Sequence, residues 1–155
     1  MSILLVFVVT FLIIRYAPVF YEWSYQVMYG GIYTPSVMAS CSIDKPFSCR
    51  VDSFNLTTGE ATITITNEGE FAKGIRYVTC SSTTGPGGRV EIAKMVMPKR
   101  SFTVQVRCLG YNPHAHVLKD RFVKYTADLT VLYGESTVPS DYHIAHGRIT
   151  VEEAK

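Results

Sequence analysis

Residues 61–66 read Ala61-Thr62-Ile63-Thr64-Ile65-Thr66, a strict alternation of apolar and hydroxyl-bearing side chains. Successive side chains of a strand point to opposite faces, so this hexapeptide aims Ile63 and Ile65 at a core and the threonines away from it. A helix would scatter the same side chains around its axis. Asn67-Glu68-Gly69 follows at once and supplies a turn. The stretch is therefore a half-buried strand with a defined end.

The same alternation recurs in Phe102-Thr103-Val104-Gln105-Val106 and in Thr126-Ala127-Asp128-Leu129-Thr130-Val131. Further strands are expected over Arg50 to Leu56, Gly74 to Ser81, Arg89 to Met95, Ser101 to Leu109, Phe122 to Tyr133 and Arg148 to Glu152. Gly85-Pro86-Gly87-Gly88, Pro113-His114-Ala115-His116 and Pro139-Ser140-Asp141 read as the loops between them. Many short strands, frequent turns and no long amphipathic helix predict an antiparallel β-sandwich over residues 41–155.

The four cysteines, Cys41, Cys49, Cys80 and Cys108, all fall in this part of the chain. None forms the tight Cys-x-x-Cys pair that a zinc site needs, so an even count in a β-rich domain predicts two disulfides. The expected pairing is Cys41 with Cys49, across a short loop bent by Pro46, and Cys80 with Cys108, at the ends of two strands. Three connectivities are open to four cysteines. Asn55-Leu56-Thr57 is an N-glycosylation sequon, with Asn55 as the acceptor.

The amino-terminal part has a different composition. Ile3 to Ile14 contains a single polar residue, Thr10. It lacks the basic flank and Ala-x-Ala site of a cleaved signal peptide, so the segment is expected to be retained. Ser2 to Ile14 makes about 20 Å of helix at 1.5 Å per residue. That is short of the roughly 20 residues that a membrane span needs. Extension to Met28 gives the length but includes Arg15 and Glu22. These two charges lie seven residues apart, on nearly the same helical face and too far for a strong contact with each other. Either they meet opposite charges on neighbouring copies, or Arg15 snorkels to an interface while Glu22 sits in water. Pro18 predicts a kink. Phe20, Tyr21, Trp23, Tyr25, Tyr29 and Tyr33 form an aromatic belt suited to a membrane boundary or to packed helices.

The expected organisation is thus α+β: an apolar helix over residues 1–33, a linker over 34–40 and a disulfide-stapled β-sandwich over 41–155. Ile3, Leu4, Leu5, Phe7, Val8, Phe11, Leu12, Arg15, Pro18 and Glu22 are the expected assembly residues of the helix. So apolar a helix must lie in lipid or among copies of itself.

Catalytic and cofactor chemistry has no support in the sequence. His114 with His116, which would share one strand face, and His143 with His146 lack an accompanying carboxylate at a ligand spacing. No Gly-x-Ser-x-Gly elbow or phosphate-binding glycine loop occurs. A net charge of +2, from 15 basic and 13 acidic residues, is not the footprint of a nucleic-acid binder. No enzyme activity, cofactor, metal or nucleic-acid partner is expected.

The order of features resembles archaeal type IV pilins and the related archaellin-like filament subunits. The resemblance is carried by Met1 to Ile14 and its aromatic continuation, and by Cys41-Ser42-Ile43-Asp44-Lys45-Pro46-Phe47-Ser48-Cys49. It continues through Ala61 to Thr66 and Asn67-Glu68-Gly69. It implies a processed subunit, cut from a short basic leader, that is membrane-inserted before assembly and then polymerises through its helix into an extracellular filament. Identical subunits would be its partners, with a surface receptor or host cell met by the exposed heads. Bacterial pilins carry Glu at the fifth mature position, where this chain has Leu5; many archaeal relatives lack that Glu as well. The alternative expectation is a single-pass anchored β-sandwich ectodomain acting as an adhesin or binding module.

Overall fold

The computed structural model describes residues 35–82, 88–118, 121–135 and 142–154. The chain divides into two units, residues 1–34 and residues 35–155, and only the second contains described residues. The helix expected over 1–33, with all its assembly residues from Ile3 to Glu22, lies outside them. So do residues 85–87 of the glycine loop and Pro139-Ser140-Asp141.

Among the described residues the second unit has ten strands: β1 (Val37–Ile43), β2 (Phe47–Phe54), β3 (Glu60–Asn67), β4 (Lys73–Ser81), β5 (Gly88–Val96), β6 (Ser101–Arg107), β7 (Val117–Leu118), β8 (Arg121–Phe122), β9 (Tyr125–Gly134) and β10 (His143–Glu153). One short helix, α1 (Pro113–His116), precedes β7. Five strands make one sheet in the order β1-β10-β9-β4-β5, and three make a second in the order β2-β3-β6. β7 and β8 pair separately. Every ladder is antiparallel. The chain passes from one large sheet to the other between β1 and β2, β3 and β4, β5 and β6, and β6 and β9.

Alternation decides which way each sheet faces. β3 buries Ala61, Ile63 and Ile65 and turns Thr62, Thr64 and Thr66 outward. β6 buries Phe102, Val104 and Val106; β9 buries Tyr125, Ala127, Leu129 and Val131. With Ala145, Ile149 and Val151 of β10, these residues from both sheets form one continuous core. A fully buried aliphatic side chain contributes about 1.5–3 kcal/mol, so the shared core is the main stabilising term. On the outer face of the three-stranded sheet the hydroxyls bond across strands: Thr64 with Thr103 at 3.1 Å and Thr66 with Ser101 at 2.8 Å.

Residues 37–40, assigned by the sequence to a linker, are the first half of β1. Four residues are too few to display an alternation, and their partner is the chain's last strand: Val37 lies opposite Glu153 and Ile43 opposite Gly147. The last strand likewise begins at His143, ahead of the expected Arg148. Pro113 to His116, expected as loop, form one helical turn because Asn112 caps it. The Asn112 side-chain oxygen accepts the His114 N–H at 3.0 Å, and Pro113 occupies the first turn, where a missing N–H costs nothing.

Asn67, at the end of β3, is the one buried polar residue among those described. Its amide nitrogen donates to Phe71 O at 2.8 Å and Val96 O at 3.0 Å, and its side-chain oxygen accepts the Gly69 N–H at 3.0 Å. Its backbone N–H donates to Arg100 O, and its carbonyl accepts from Lys99 N–H. One side chain therefore joins the turn after β3 to the β5–β6 connection. Burying an amide is tolerable only when its bonding capacity is used, and here it is.

Replacing Asn67 strands two carbonyls and one N–H in a buried setting, each costing about 1–3 kcal/mol. Asn67→Ala is predicted to destabilise the β domain by about 3 kcal/mol or more, read as a lower midpoint in urea. Asn67→Asp should cost more, since its carboxylate would face two carbonyl oxygens. A midpoint unchanged in Asn67→Ala would contradict this role.

Candidate functional site

The domain has two poles. At the near pole the chain enters beside its own end: Ala154 N–H donates to Ser36 O at 2.7 Å. The far pole carries the β1–β2 turn, the turn after Asn67, and the ends of β5 and β9.

The near pole is closed by aromatic rings brought from separate elements. Tyr111 follows β6, and its hydroxyl donates to Leu56 O at 2.9 Å. Tyr125 opens β9 and donates to Leu109 O at 3.2 Å, which ties the start of β9 to the chain leaving β6. Burial raises the pKa of both phenols, so both keep their donating protons. The His116 ring stacks on Tyr111 at 5.2 Å and meets Tyr125 edge-on at 5.1 Å. The two histidines expected together on one strand face therefore have different surroundings: His114 is exposed, and His116 is packed among rings. His143 and His146 lie exposed on β10. Among the described residues no three His, Cys, Asp or Glu side chains gather to hold a metal ion.

Asn55 occupies the β2–β3 turn at this pole. It is exposed, and its side-chain oxygen accepts the N–H groups of Thr57 at 2.8 Å and Thr58 at 3.1 Å. This Asx turn engages the amide oxygen and makes no use of the nitrogen.

The outer face of the five-stranded sheet holds a shallow polar groove. Its rows follow the register: Ser42 lies opposite Arg148, Arg148 opposite Asp128, and Asp128 opposite Ser81. The Arg148 guanidinium stands 3.9 Å from Asp128. Such a floor of hydroxyls and charges has none of the apolar enclosure that holds a small ligand, and it serves as a solvated face. At the far pole Phe71 is 72% exposed and Met97 59%. They are near neighbours, because Phe71 O and Val96 O share the Asn67 amide. Phe71 also borders a hollow with Tyr133, Lys73 and His143.

Both disulfides tie one sheet to the other. Cys41 on β1 is bonded to Cys49 on β2, and Cys80 on β4 to Cys108 just after β6. Their sequence separations of 8 and 28 correspond to about 2.5 and 3.5 kcal/mol of lost unfolded-chain entropy. No free cysteine remains. Such crosslinks belong to a chain that folds in oxidising, extracytoplasmic surroundings. Their exposure differs sharply. Cys80 and Cys108 are sealed in the core at 0% and 2%, whereas Cys41 and Cys49 lie half-buried at the sheet edges.

No protein family, curated protein or solved structure matches this chain.

Access to the sulfurs predicts the order of reduction. Mild dithiothreitol treatment of the folded protein, followed by iodoacetamide, should alkylate Cys41 and Cys49 alone in peptide mass maps. Cys80 and Cys108 should react only after denaturation. Equal labelling of all four in the folded state would contradict this burial.

Proposed function

We propose that this chain is a structural, non-enzymatic subunit of an extracellular, type IV pilus-like filament, polymerising through its apolar amino-terminal helix and displaying the β domain outward. One observation carries the reading. A single chain joins Ile3 to Ile14, interrupted only by Thr10, to a domain whose cysteines are all crosslinked and whose outer sheet faces carry mostly hydroxyls and charges. The domain needs no further partner to hide its core. The segment cannot be left in water. Lipid holds it before assembly, and identical helices hold it afterwards.

In this arrangement subunits exchange lipid contacts for interlocking side chains, a gain in dispersion and close packing. Phe7 and Phe11, one turn apart, would interdigitate with neighbours. Arg15 of one copy would meet Glu22 of another. A head-to-tail contact that repeats without closing generates an open helical polymer. Asn55, with its amide nitrogen free of the Asx turn, is the proposed site of an N-linked glycan.

A second reading is an anchored monomeric ectodomain serving as an adhesin or binding module. It is favoured by Phe71 and Met97, exposed at the pole remote from the point where the chain enters the domain.

Val8→Asp tests the filament reading. A carboxylate in the middle of an apolar segment costs about 2.5–3.5 kcal/mol in every copy. Fibres sheared from cells and imaged in negative stain should be present for the native chain and absent for the variant, while the variant's β domain keeps both disulfides. Fibres in the variant, or detergent-soluble monomers alone for the native chain, would overturn the filament reading. Glycosylation predicts a mass excess on the tryptic peptide containing Asn55 that disappears in Asn55→Gln. A native peptide of unmodified mass would exclude it.

A further inference from the structure

We propose that the Cys41–Cys49 disulfide keeps β1 within its own chain, preventing its exchange onto the β10 edge of a second copy. The proposal concerns the β domain alone, and it stands whether the amino-terminal segment is filament core or anchor.

β1 is an edge strand: within its sheet it pairs only with β10. Were it to leave, β10 would present a full row of unpaired N–H and C=O groups, a template for any strand of suitable pattern. The best-matched strand is β1 of another copy. Val37, Ala39, Cys41 and Ile43 alternate onto the core, so an exchanged β1 would restore the same packing. Gly147 gives the seat its shape. A Cβ there would come within 2.4 Å of Ser42 O, so β10 accepts the β1 backbone at closer range than a side chain permits.

The hinge for such an exchange is the three-residue turn Asp44-Lys45-Pro46 between β1 and β2. Opening a short hinge between two copies is the usual route to a swapped dimer. The turn is held in place by Asp44 N–H to His146 O at 2.8 Å and Glu68 N–H to Pro46 O at 2.7 Å. Those bonds can be remade after exchange and give no protection against it. The disulfide does. It closes residues 41–49 into a ring and keeps Cα of Cys41 5.7 Å from Cα of Cys49. With β2 fixed in its own sheet, β1 then cannot reach another copy. Cys80–Cys108 does not span this hinge and cannot act in its place.

The staple matters most where copies are crowded, which the apolar segment ensures in lipid or in a polymer. High local concentration favours exchange between identical edges, and the bond removes the option before crowding begins.

The test uses the full-length chain in detergent, with Ser40 and Thr150 as reporters because they are register partners across β1 and β10. One copy carries Ser40→Cys and a co-expressed copy carries Thr150→Cys. Both are made with Cys41→Ser and Cys49→Ser, and again with the native pair intact. A short bifunctional thiol crosslinker should join the two copies in the unstapled pair, and the crosslinked dimer should be lost when the staple is present. A single unstapled copy carrying both reporters should crosslink within itself, which shows that β1 still docks on β10. Intrachain crosslinking without any intercopy product would overturn the proposal. So would equal intercopy yields with and without the staple. Failure of both crosslinks would overturn it as well, because β10 would then not hold β1 without the disulfide.

Discussion

Ile63 and Ile65 reach 0% exposure only because a second sheet lies over the one that contains them. That requirement organises the rest. A three-stranded sheet with one apolar face cannot remain open to water, so the chain crosses repeatedly between sheets to complete a single core. Each crossing then needs its backbone groups satisfied. Asn67 does this at the far pole, and the hydroxyls of Tyr111 and Tyr125 do it at the near pole. The two disulfides act on the same constraint. Both run from one sheet to the other, so neither layer can slide or lift independently.

The outer faces follow from the same alternation. Threonine and serine hydroxyls bond to one another across β3 and β6, and Arg50 bonds Asp52 at 2.8 Å on the adjoining edge strand. Asp52 also accepts from Thr64, and that bond together with Arg50 lowers its pKa. Charges and hydroxyls paired in this way keep a sheet face soluble without building a site. The domain buries its own core, whereas Ile3–Ile14 has a single polar residue, Thr10. This division of labour within one chain underlies the filament proposal.

Much of the β domain was legible from period-two patterning. β3, β6 and β9 declare themselves because their alternation is long and uninterrupted, and the short loop from Cys41 to Cys49 and the strand ends at Cys80 and Cys108 point to the pairing found. Other elements depend on partners distant in sequence. β1 has four residues before its cysteine and becomes a strand through β10, over a hundred positions later. Asn67 was readable as a turn residue, but its buried amide depends on where the β5–β6 connection passes. His116 looks like any loop histidine until Tyr125 arrives from β9. The Asn112-Pro113 pair carries a local helix-start signal, a cap residue followed by proline.

In the proposed filament the amino-terminal segment packs against copies of itself. Since every native cysteine is crosslinked, a single cysteine introduced as Val8→Cys can carry a nitroxide label alone. Electron paramagnetic resonance of assembled material should show strong spin–spin broadening that fades as labelled chains are diluted with native ones. A sharp spectrum, unchanged by dilution, would mean that the segments do not meet, and would contradict the account.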